Sequence, residues 1–330
     1  MDAAYFEKQV FEVAGSGNFN CMALQLFKFQ YLNNDIYRRY VDCLGVDPEG
    51  VDAVEKIPFL PVEMFKIFDV KTTLFSEAVV FTSSGTTGGN TSRHFVKDPA
   101  IYYRSLLDGF QQHYGPIGQY HVLALLPAYL ERTGSSLVTM AERLMEASGD
   151  GSGGFFLYDF EALDRKIQDL LKFSSKKILL IGVTFALIDF AAMLGRNYGD
   201  RVIVMETGGM KGRRQEMVRE EVHDILRKGL GVSAIHSEYG MTELLSQAYS
   251  KGLGIYRETS TMRILIRDAT DPLRYVKPGA TGGINVIDLA NIYSCAFVET
   301  KDLGIKYGDG SFKVLGRFDS SDTRGCNLLY

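Results

Sequence analysis

The stretch VVFTSSGTTGGNTSRHFV, from Val79 to Val96, combines a short β-branched and aromatic run with a loop of glycines and hydroxyl side chains. The run Ala78 to Phe81 predicts a buried strand. Glycine permits positive φ, so the backbone N–H groups of such a loop can turn toward one point and hold an anion. The composition therefore predicts a polyphosphate loop, with a mobile surface linker as the alternative. No Gly-Lys-Ser/Thr closes the loop, so it is not a Walker P-loop.

The composition is that of a globular protein. The chain has 330 residues, of which 46% are hydrophobic and 23% charged, with a net charge of −4. No run of like charges suggests a nucleic-acid or acidic-membrane partner, and no apolar stretch is long enough to span a bilayer. The N-terminus lacks the features of a signal peptide, so we expect a cytoplasmic protein. The four cysteines, Cys21, Cys43, Cys295 and Cys326, show neither zinc nor disulfide spacing and are expected to be thiols.

The order of predicted elements indicates an α/β fold with a largely parallel sheet covered by helices. Strands and helical segments alternate from the Asp98-Pro99 helix start to a strand at Val232 to Ile235. From Met262 onward, strands follow one another without helices, which predicts a C-terminal antiparallel β subdomain. The periodicity of Asn20 to Leu44 predicts a single amphipathic helix. We expect a helical cap at 1–75, an α/β nucleotide-binding core at 76–260, the β subdomain at 261–316 and a hinge-like tail at 317–330.

Three motifs are expected to follow strands of this sheet: the glycine loop, Glu206 to Gly212 and Glu238 to Glu243. Open α/β sheets bind ligands at the carboxyl ends of their strands, so the three motifs can converge on one site. The glycine spacing of Glu206 to Gly212 does not fit the dinucleotide fingerprint.

Several of these stretches resemble the adenylate-forming ligases, the family of acyl-CoA synthetases, peptide-synthetase adenylation domains and firefly luciferase. Thr82 to Gly88 resembles the family's phosphate loop, and Glu238 to Glu243 resembles its Tyr-Gly-x-Thr-Glu motif. Thr300 to Gly304, followed by Gly316 to Asp319, resembles the ribose-binding and hinge segments. IPFLPVEMFK, starting at Ile57, resembles the acyl-protein synthetases of bacterial bioluminescence operons.

The resemblance implies a role for each matched residue. The phosphates of ATP would lie in the loop of Ser83, Ser84, Gly85, Thr86, Thr87 and Gly88. The nucleoside would be held by Gly208, Gly209, Tyr239, Gly240, Asp302 and Arg317, with Tyr239 against adenine and Asp302 on the ribose. Thr242 would lie near the α-phosphate, and Glu243 would hold Mg²⁺.

The sequence departs from the family pattern in two places. The family's loop carries Pro-Lys, whereas this chain has Gly89 to Arg93, so Arg93 is a candidate for the lysine. Arg317 is followed shortly by Tyr330, so no full lid domain is expected, and Lys211 or Arg324 are candidates to replace its catalytic lysine.

The chemistry implied by the resemblance is ATP-dependent activation of a carboxylic acid, expected to be a fatty acid. The acyl-protein synthetases carry the acyl group on a cysteine near the C-terminus and pass it to a partner reductase, and Cys326 occupies the corresponding place. Coenzyme A or a carrier protein are alternative acceptors. The alternative from another class is a catalytically silent module that binds ATP or an acyl group.

Overall fold

The computed structural model describes residues 1–13, 18–83, 91–127, 134–149, 151–208 and 217–318. Within this part of the chain there are nine α-helices: α1 Ala3–Glu12, α2 Phe19–Asn33, α3 Asp35–Cys43, α4 Met64–Ile67, α5 Pro99–Tyr114, α6 Ser136–Ser148, α7 Phe160–Phe173, α8 Thr184–Leu194 and α9 Arg219–Leu230. Helix α5 begins as the sequence predicts, because the side chain of Asp98 accepts a hydrogen bond from the Ala100 N–H and proline follows at the first helical position. None of the described helices is both long and apolar enough to cross a membrane.

The described strands are β1 Leu60–Pro61, β2 Val79–Thr82, β3 Arg93–Val96, β4 Tyr120–Leu125, β5 Gly154–Phe155, β6 Lys177–Val183, β7 Val202–Thr207, β8 Ile235–Tyr239, β9 Ala248–Ser250, β10 Tyr256–Glu258, β11 Met262–Arg267, β12 Thr281–Asp288, β13 Phe297–Lys306 and β14 Phe312–Arg317. The main sheet runs in the order β11-β12-β13-β14-β10-β9-β8-β7-β6-β4-β5, with β1 paired to β13. Strands β5, β4, β6, β7 and β8 are parallel. Strands β8 to β14 pair antiparallel, so this single sheet is parallel on one side of β8 and antiparallel on the other.

Helices cover both faces of the parallel part of this sheet. Tyr114 of α5 makes a hydrogen bond of 3.1 Å to the Nδ1 of His236. His223 of α9 lies 3.5 Å from the hydroxyl of Ser237, the next residue of β8. Successive residues of a strand point to opposite faces, so α5 and α9 lie on opposite sides of β8. The α/β fold class expected from the sequence is confirmed.

The N-terminal helices pack against the C-terminal antiparallel strands. Gln30 of α2 is fully buried and donates to the carbonyls of Asn291 and Ile292 at 2.9 and 3.1 Å. Its Oε1 accepts a hydrogen bond from the Ala296 N–H at 2.9 Å. Because a buried amide must find partners, these bonds fix α2 to the segment between β12 and β13.

The expectation of one helix from Asn20 to Leu44 is wrong. The chain forms α2 and α3, separated by Asn34, whose side chain accepts a hydrogen bond from the Tyr37 N–H. Asparagine competes for backbone N–H groups in this way, which ends one helix and caps the next.

The first motif strand does not belong to the parallel sheet. Among the described strands, β2 pairs with β3 alone, in a separate antiparallel hairpin, so the glycine loop connects two strands of a hairpin and does not follow a central strand of the sheet. The predicted strand Val232 to Ile235 is also displaced, because β8 covers Ile235–Tyr239 and Glu238 and Tyr239 are its last residues.

Candidate active site

The base of the glycine loop is well defined. Ser83 and Ser92 face each other beyond the hairpin of β2 and β3, and the Ser83 N–H donates to the Ser92 carbonyl at 3.1 Å. The Ser92 N–H in turn donates to the Ser83 hydroxyl oxygen at 2.9 Å. These two bonds fix the points from which the loop leaves and returns. Of the predicted phosphate-binding residues, Ser83 is described, whereas Ser84, Gly85, Thr86, Thr87 and Gly88 lie outside the described residues.

His94 of β3 connects this hairpin to the Tyr-Gly-Met-Thr-Glu motif. Its Nδ1 lies 2.8 Å from the carbonyl oxygen of Thr242, and its Nε2 lies 2.9 Å from the Oδ1 of Asn291. Asn291 also donates from Nδ2 to the carbonyl of Glu243 at 2.8 Å. Burial lowers the pKa of His94. The hydrogen bonds to Thr242 and Asn291 favour the protonated ring and raise the pKa, but by less than burial lowers it. The backbone carbonyls of Thr242 and Glu243 are therefore both bound by buried side chains.

Glu243, the predicted metal ligand, is only 5% exposed. Burial raises the pKa of its carboxyl group, while a hydrogen bond from Ser92 and the charges of Arg317 and Lys66 lower it. A cation beside Glu243 would offset the cost of burying its charge. No group of three or more metal-ligating side chains occurs among the described residues. Magnesium needs only one or two carboxylates when substrate phosphates supply further oxygens, so the single carboxylate of Glu243 fits it.

Tyr239, Asp302 and Arg317 come together, as the sequence predicts for a nucleoside site. The Tyr239 hydroxyl donates to the Oδ2 of Asp302 at 2.8 Å. Arg317 is the cross-strand partner of Asp302, and its Nε lies 3.4 Å from the Oδ1 of that residue. Burial raises the pKa of Asp302, and the Tyr239 hydrogen bond and the Arg317 charge lower it. Asp302 lies within β13, and the strand fixes the position of its carboxylate.

The turn after β7 begins at Gly208, which has a φ of +70°, a conformation that favours glycine. The hydroxyl of Thr184 lies 2.9 Å from the Gly208 carbonyl and 3.0 Å from the Oε2 of Glu206, and this hydroxyl donates toward both. Burial raises the pKa of Glu206, but a hydrogen bond from His223 and the charge of Arg219 outweigh it and leave the pKa lowered. Gly209 lies outside the described residues.

Glu238 is a buried carboxyl group inside the motif, and the sequence predicts no role for it. Its Oε2 accepts a hydrogen bond from the Thr207 hydroxyl at 2.6 Å. Burial and the nearby charge of Glu206 raise its pKa to about 7, although the hydrogen bond from Thr207 lowers it. A Cβ at Gly240 would lie 2.4 Å from the Oε1 of Glu238, so glycine at this position leaves the space that the carboxyl group occupies.

Arg93, a candidate for the family's loop lysine, lies at the start of β3. Its Nη2 is 2.7 Å from the Oδ1 of Asp69, and its guanidinium lies 5.6 Å from the ring centre of Phe95. The side chain is 42% exposed, so this ion pair contributes little to stability. Lys211, Arg324 and Cys326 lie outside the described residues.

Two further residues of the site, His94 and Asn291, were not predicted to act there. For His94, the position on the return strand of the glycine loop was the available signal. Asn291 lies between β12 and β13 and carries no local signal, because only the tertiary fold brings it to Glu243.

The architecture is that of the adenylate-forming ligases. The comparisons confirm the resemblance to this family that the motifs indicated. No family model matches the chain. Over 328 residues the chain is 24% identical to the long-chain-fatty-acid–luciferin-component ligase of Vibrio harveyi. The alignment covers 92% of this chain and 84% of that protein.

Solved structures show the same fold. The ATP-bound structure of MatB from Rhodopseudomonas palustris has a TM-score of 0.53 and 17% identity, over 72% of this chain and 47% of MatB. The 2-hydroxyisobutyryl-CoA ligase in its postadenylation state has a TM-score of 0.65 and 13% identity, over 90% of this chain and 66% of that protein. The chain thus spans about half the length of MatB.

Proposed function

We propose that the chain activates a carboxylic acid with ATP and forms an acyl-adenylate. The observation that carries this proposal is the Tyr239–Asp302–Arg317 cluster, which lies at the carboxyl end of β8 and one short turn before the buried Glu243. A buried carboxylate with a phenol and a guanidinium beside it is suited to accept hydrogen bonds from ribose hydroxyls. The anchoring of the glycine-loop hairpin to Thr242 by His94 supports a single site that takes the whole nucleotide.

In the proposed reaction, a carboxylate oxygen of the acid attacks the α-phosphorus of ATP, and the bond from that phosphorus to the bridging oxygen breaks. Pyrophosphate leaves with the electron pair, and no proton is transferred. The protein must align two anions and neutralise the charge that develops. Mg²⁺, when bound, would neutralise phosphate charge as a Lewis acid. We assign Glu243 to hold it, Asp302 and Tyr239 to fix the nucleoside, and the N–H groups of the glycine loop to bind phosphate.

We propose a fatty acid as substrate and a thiol as acyl acceptor. The name of the Vibrio harveyi relative supports the fatty acid. For the acceptor we favour Cys326 of this chain, from which the acyl group would pass to a partner reductase. Coenzyme A and a carrier protein are the competing acceptors, and a silent ATP- or acyl-binding module is the competing function.

The test is ATP–pyrophosphate exchange with purified protein, magnesium and a panel of carboxylic acids of increasing chain length. We expect exchange that depends on one class of acid, with reactions lacking acid or magnesium as controls. Binding of ATP without exchange for any acid would favour the silent module. Proteolysis of the reacted protein would then locate an acylated peptide, and parallel reactions with coenzyme A would reveal transfer in solution.

A further inference from the structure

The two carboxyl oxygens of Glu238 have different surroundings, although the residue as a whole is only 8% exposed. Its Oε2 accepts the hydrogen bond from the Thr207 hydroxyl at 2.6 Å. Its Oε1 has no hydrogen-bond partner among the described residues. The unpartnered side-chain atoms that are sealed from solvent in this part of the chain include the Oε1 of Gln247 and the Tyr249 hydroxyl, but not the Oε1 of Glu238. Glu238 therefore presents one free oxygen that a ligand atom can reach.

Glu238 faces away from the nucleoside cluster. Side chains alternate along a strand, so Tyr239 lies on the α9 side of β8, together with Ser237. Glu238 lies on the α5 side, together with His236. The Tyr239 side holds Asp302, which the proposed function assigns to the nucleoside. The Glu238 side is therefore the one left for the other substrate, the acid.

The free oxygen lies beside the turn that leads to Thr242. A Cβ at Gly240 would clash with the Oε1 of Glu238, so this oxygen lies against the backbone two residues before Thr242. Burial raises the pKa of Tyr102 on α5, and the charge of Glu238 raises it further, because the two side chains are close. The Tyr102 ring packs against Phe81 of β2 in a T-shaped arrangement, with the ring centres 5.4 Å apart. An acyl group at the free oxygen would thus lie beside both the motif and the glycine-loop hairpin.

A hydroxyl group is the ligand chemistry that suits this oxygen. A carboxyl group accepts hydrogen bonds when it is ionised and can also donate one when it is protonated. A hydroxyl both donates and accepts, so it pairs with Glu238 in either state. An ammonium carries three donors and would need further acceptors, whereas a hydroxyl needs only the one that Oε1 supplies. A methylene group forms no such bond and would leave the carboxyl oxygen buried and unpaired, which costs free energy.

We propose that Glu238 determines the specificity for the acid, because its Oε1 hydrogen-bonds to a hydroxyl group on the acyl chain. The preferred substrate is then a hydroxylated carboxylic acid. This inference rests on the proposed function and narrows its fatty acid to a hydroxy fatty acid. Because Oε1 lies close to the turn before Thr242, the hydroxyl belongs near the carboxylate end of the chain and not at its far end.

The test is ATP–pyrophosphate exchange with pairs of acids of equal chain length, one unsubstituted and one with a hydroxyl at the second or third carbon. We expect kcat/KM to be at least about 10-fold higher for one of the hydroxy acids, because a site built to pair with a hydroxyl rejects the analogue that lacks it. Glu238→Met should remove this preference, since a thioether is only a weak acceptor. Glu238→Gln should keep most of it. Glu221→Met, the same change at an exposed residue of α9, should keep all of it.

A binding measurement on the wild-type chain does not depend on whether a variant folds. Acyl-sulfamoyl adenosines are stable analogues of acyl-adenylates, and two that differ only in the hydroxyl can be compared by calorimetric titration. We expect the hydroxylated analogue to bind at least about 10-fold more tightly, for the same reason.

The outcomes separate the role of Glu238 from the proposed function. Exchange with none of the acids would overturn both. Equal kcat/KM for the paired acids, equal Kd for the two analogues, or a preference that survives in a folded Glu238→Met variant would overturn the role of Glu238 alone. Exchange with the corresponding amino acids in place of the hydroxy acids would assign an ammonium to Oε1 and would also overturn it.

Discussion

His94 and Asn291 share a hydrogen bond of 2.9 Å across 197 residues of sequence, and they also contact the backbone carbonyls of Thr242 and Glu243, respectively. The hairpin that carries the glycine loop and the segment that carries Glu243 are thereby joined through one buried imidazole. The position of the loop relative to Glu243 therefore depends on this pair.

Replacing His94 with alanine should lower the free energy of unfolding by about 2 to 4 kcal/mol, because it removes a buried ring and leaves two acceptors unpaired. It should also raise the KM for ATP, since the hairpin loses its anchor to Thr242. Urea unfolding of His94→Ala, Asn291→Ala and the double variant measures the interaction. The two residues are in contact, so the effects should be non-additive by at least about 0.5 kcal/mol. Additive effects would mean that the pair does not act as a unit.

Glu243→Gln should reduce ATP–pyrophosphate exchange by two to three orders of magnitude, because losing a group that stabilises transition-state charge typically costs about 3 to 4 kcal/mol. The fold should be unaffected, since glutamine has the same shape and no buried charge. Exposed Glu142 on α6 provides the matched control, Glu142→Gln, which should exchange at the wild-type rate. An unchanged rate in Glu243→Gln would remove this residue from the site.

Asp302→Asn should raise the KM for ATP by about 10-fold and change kcat much less. The amide can still accept from Tyr239, but it loses the charge that strengthens hydrogen bonds from ribose hydroxyls. Initial rates at varied ATP, with the acid saturating, measure this separation. Asp108→Asn, at an exposed ion pair with Arg104, is the control. A fall in kcat with an unaltered KM would place Asp302 with the reacting groups and not with the nucleoside.

Glu238→Gln should change how stability depends on pH. Folding raises the pKa of Glu238 from 4.5 to about 7, so the folded state binds the proton more tightly than the unfolded state does. The folded protein therefore loses stability as the pH rises through this window. The difference corresponds to about 3 kcal/mol at most. Relative to wild type, the glutamine variant should therefore be more stable at pH 8 than at pH 5. Denaturant unfolding at both pH values tests this, and identical pH profiles would contradict it.

Cys326→Ser should separate activation from transfer. If the proposed acceptor is correct, the variant still exchanges pyrophosphate but no longer retains an acyl group that hydroxylamine releases. Cys43→Ser changes an exposed thiol and should retain the label. Equal labelling of Cys326→Ser and wild type would exclude this acceptor, and rapid acylation of free coenzyme A would favour an acyl-CoA ligase.

The sequence predicted those parts of the fold that depend on local chemistry. Asp98-Pro99 specified the start of α5, and the strand pattern that begins at Met262 specified the first residue of β11. The division of Asn20 to Leu44 at Asn34 escaped prediction, because the apolar spacing continues through it and only a side-chain cap interrupts the helix.

For the site, the motif residues Tyr239 and Asp302 were predicted and do meet, although their contact spans 63 residues. The hairpin nature of the glycine loop could not be read from sequence, because β2 is a short apolar strand like those of the parallel sheet. Asn291 was beyond sequence reasoning for a related reason. Its role comes from the fold, which brings together segments that are distant in sequence.

The burial of Gln30 against Asn291, Ile292 and Ala296 has a consequence for the order of events during synthesis. Helix α2 is among the first elements made, yet the groups that satisfy its central amide are translated more than 250 residues later. Until they emerge from the ribosome, the apolar face of α2 has no native partner and is open to non-native association. We therefore expect nascent chains stalled before residue 290 to be bound by chaperones and cleaved readily within α2, and chains released after residue 318 to become protease-resistant there.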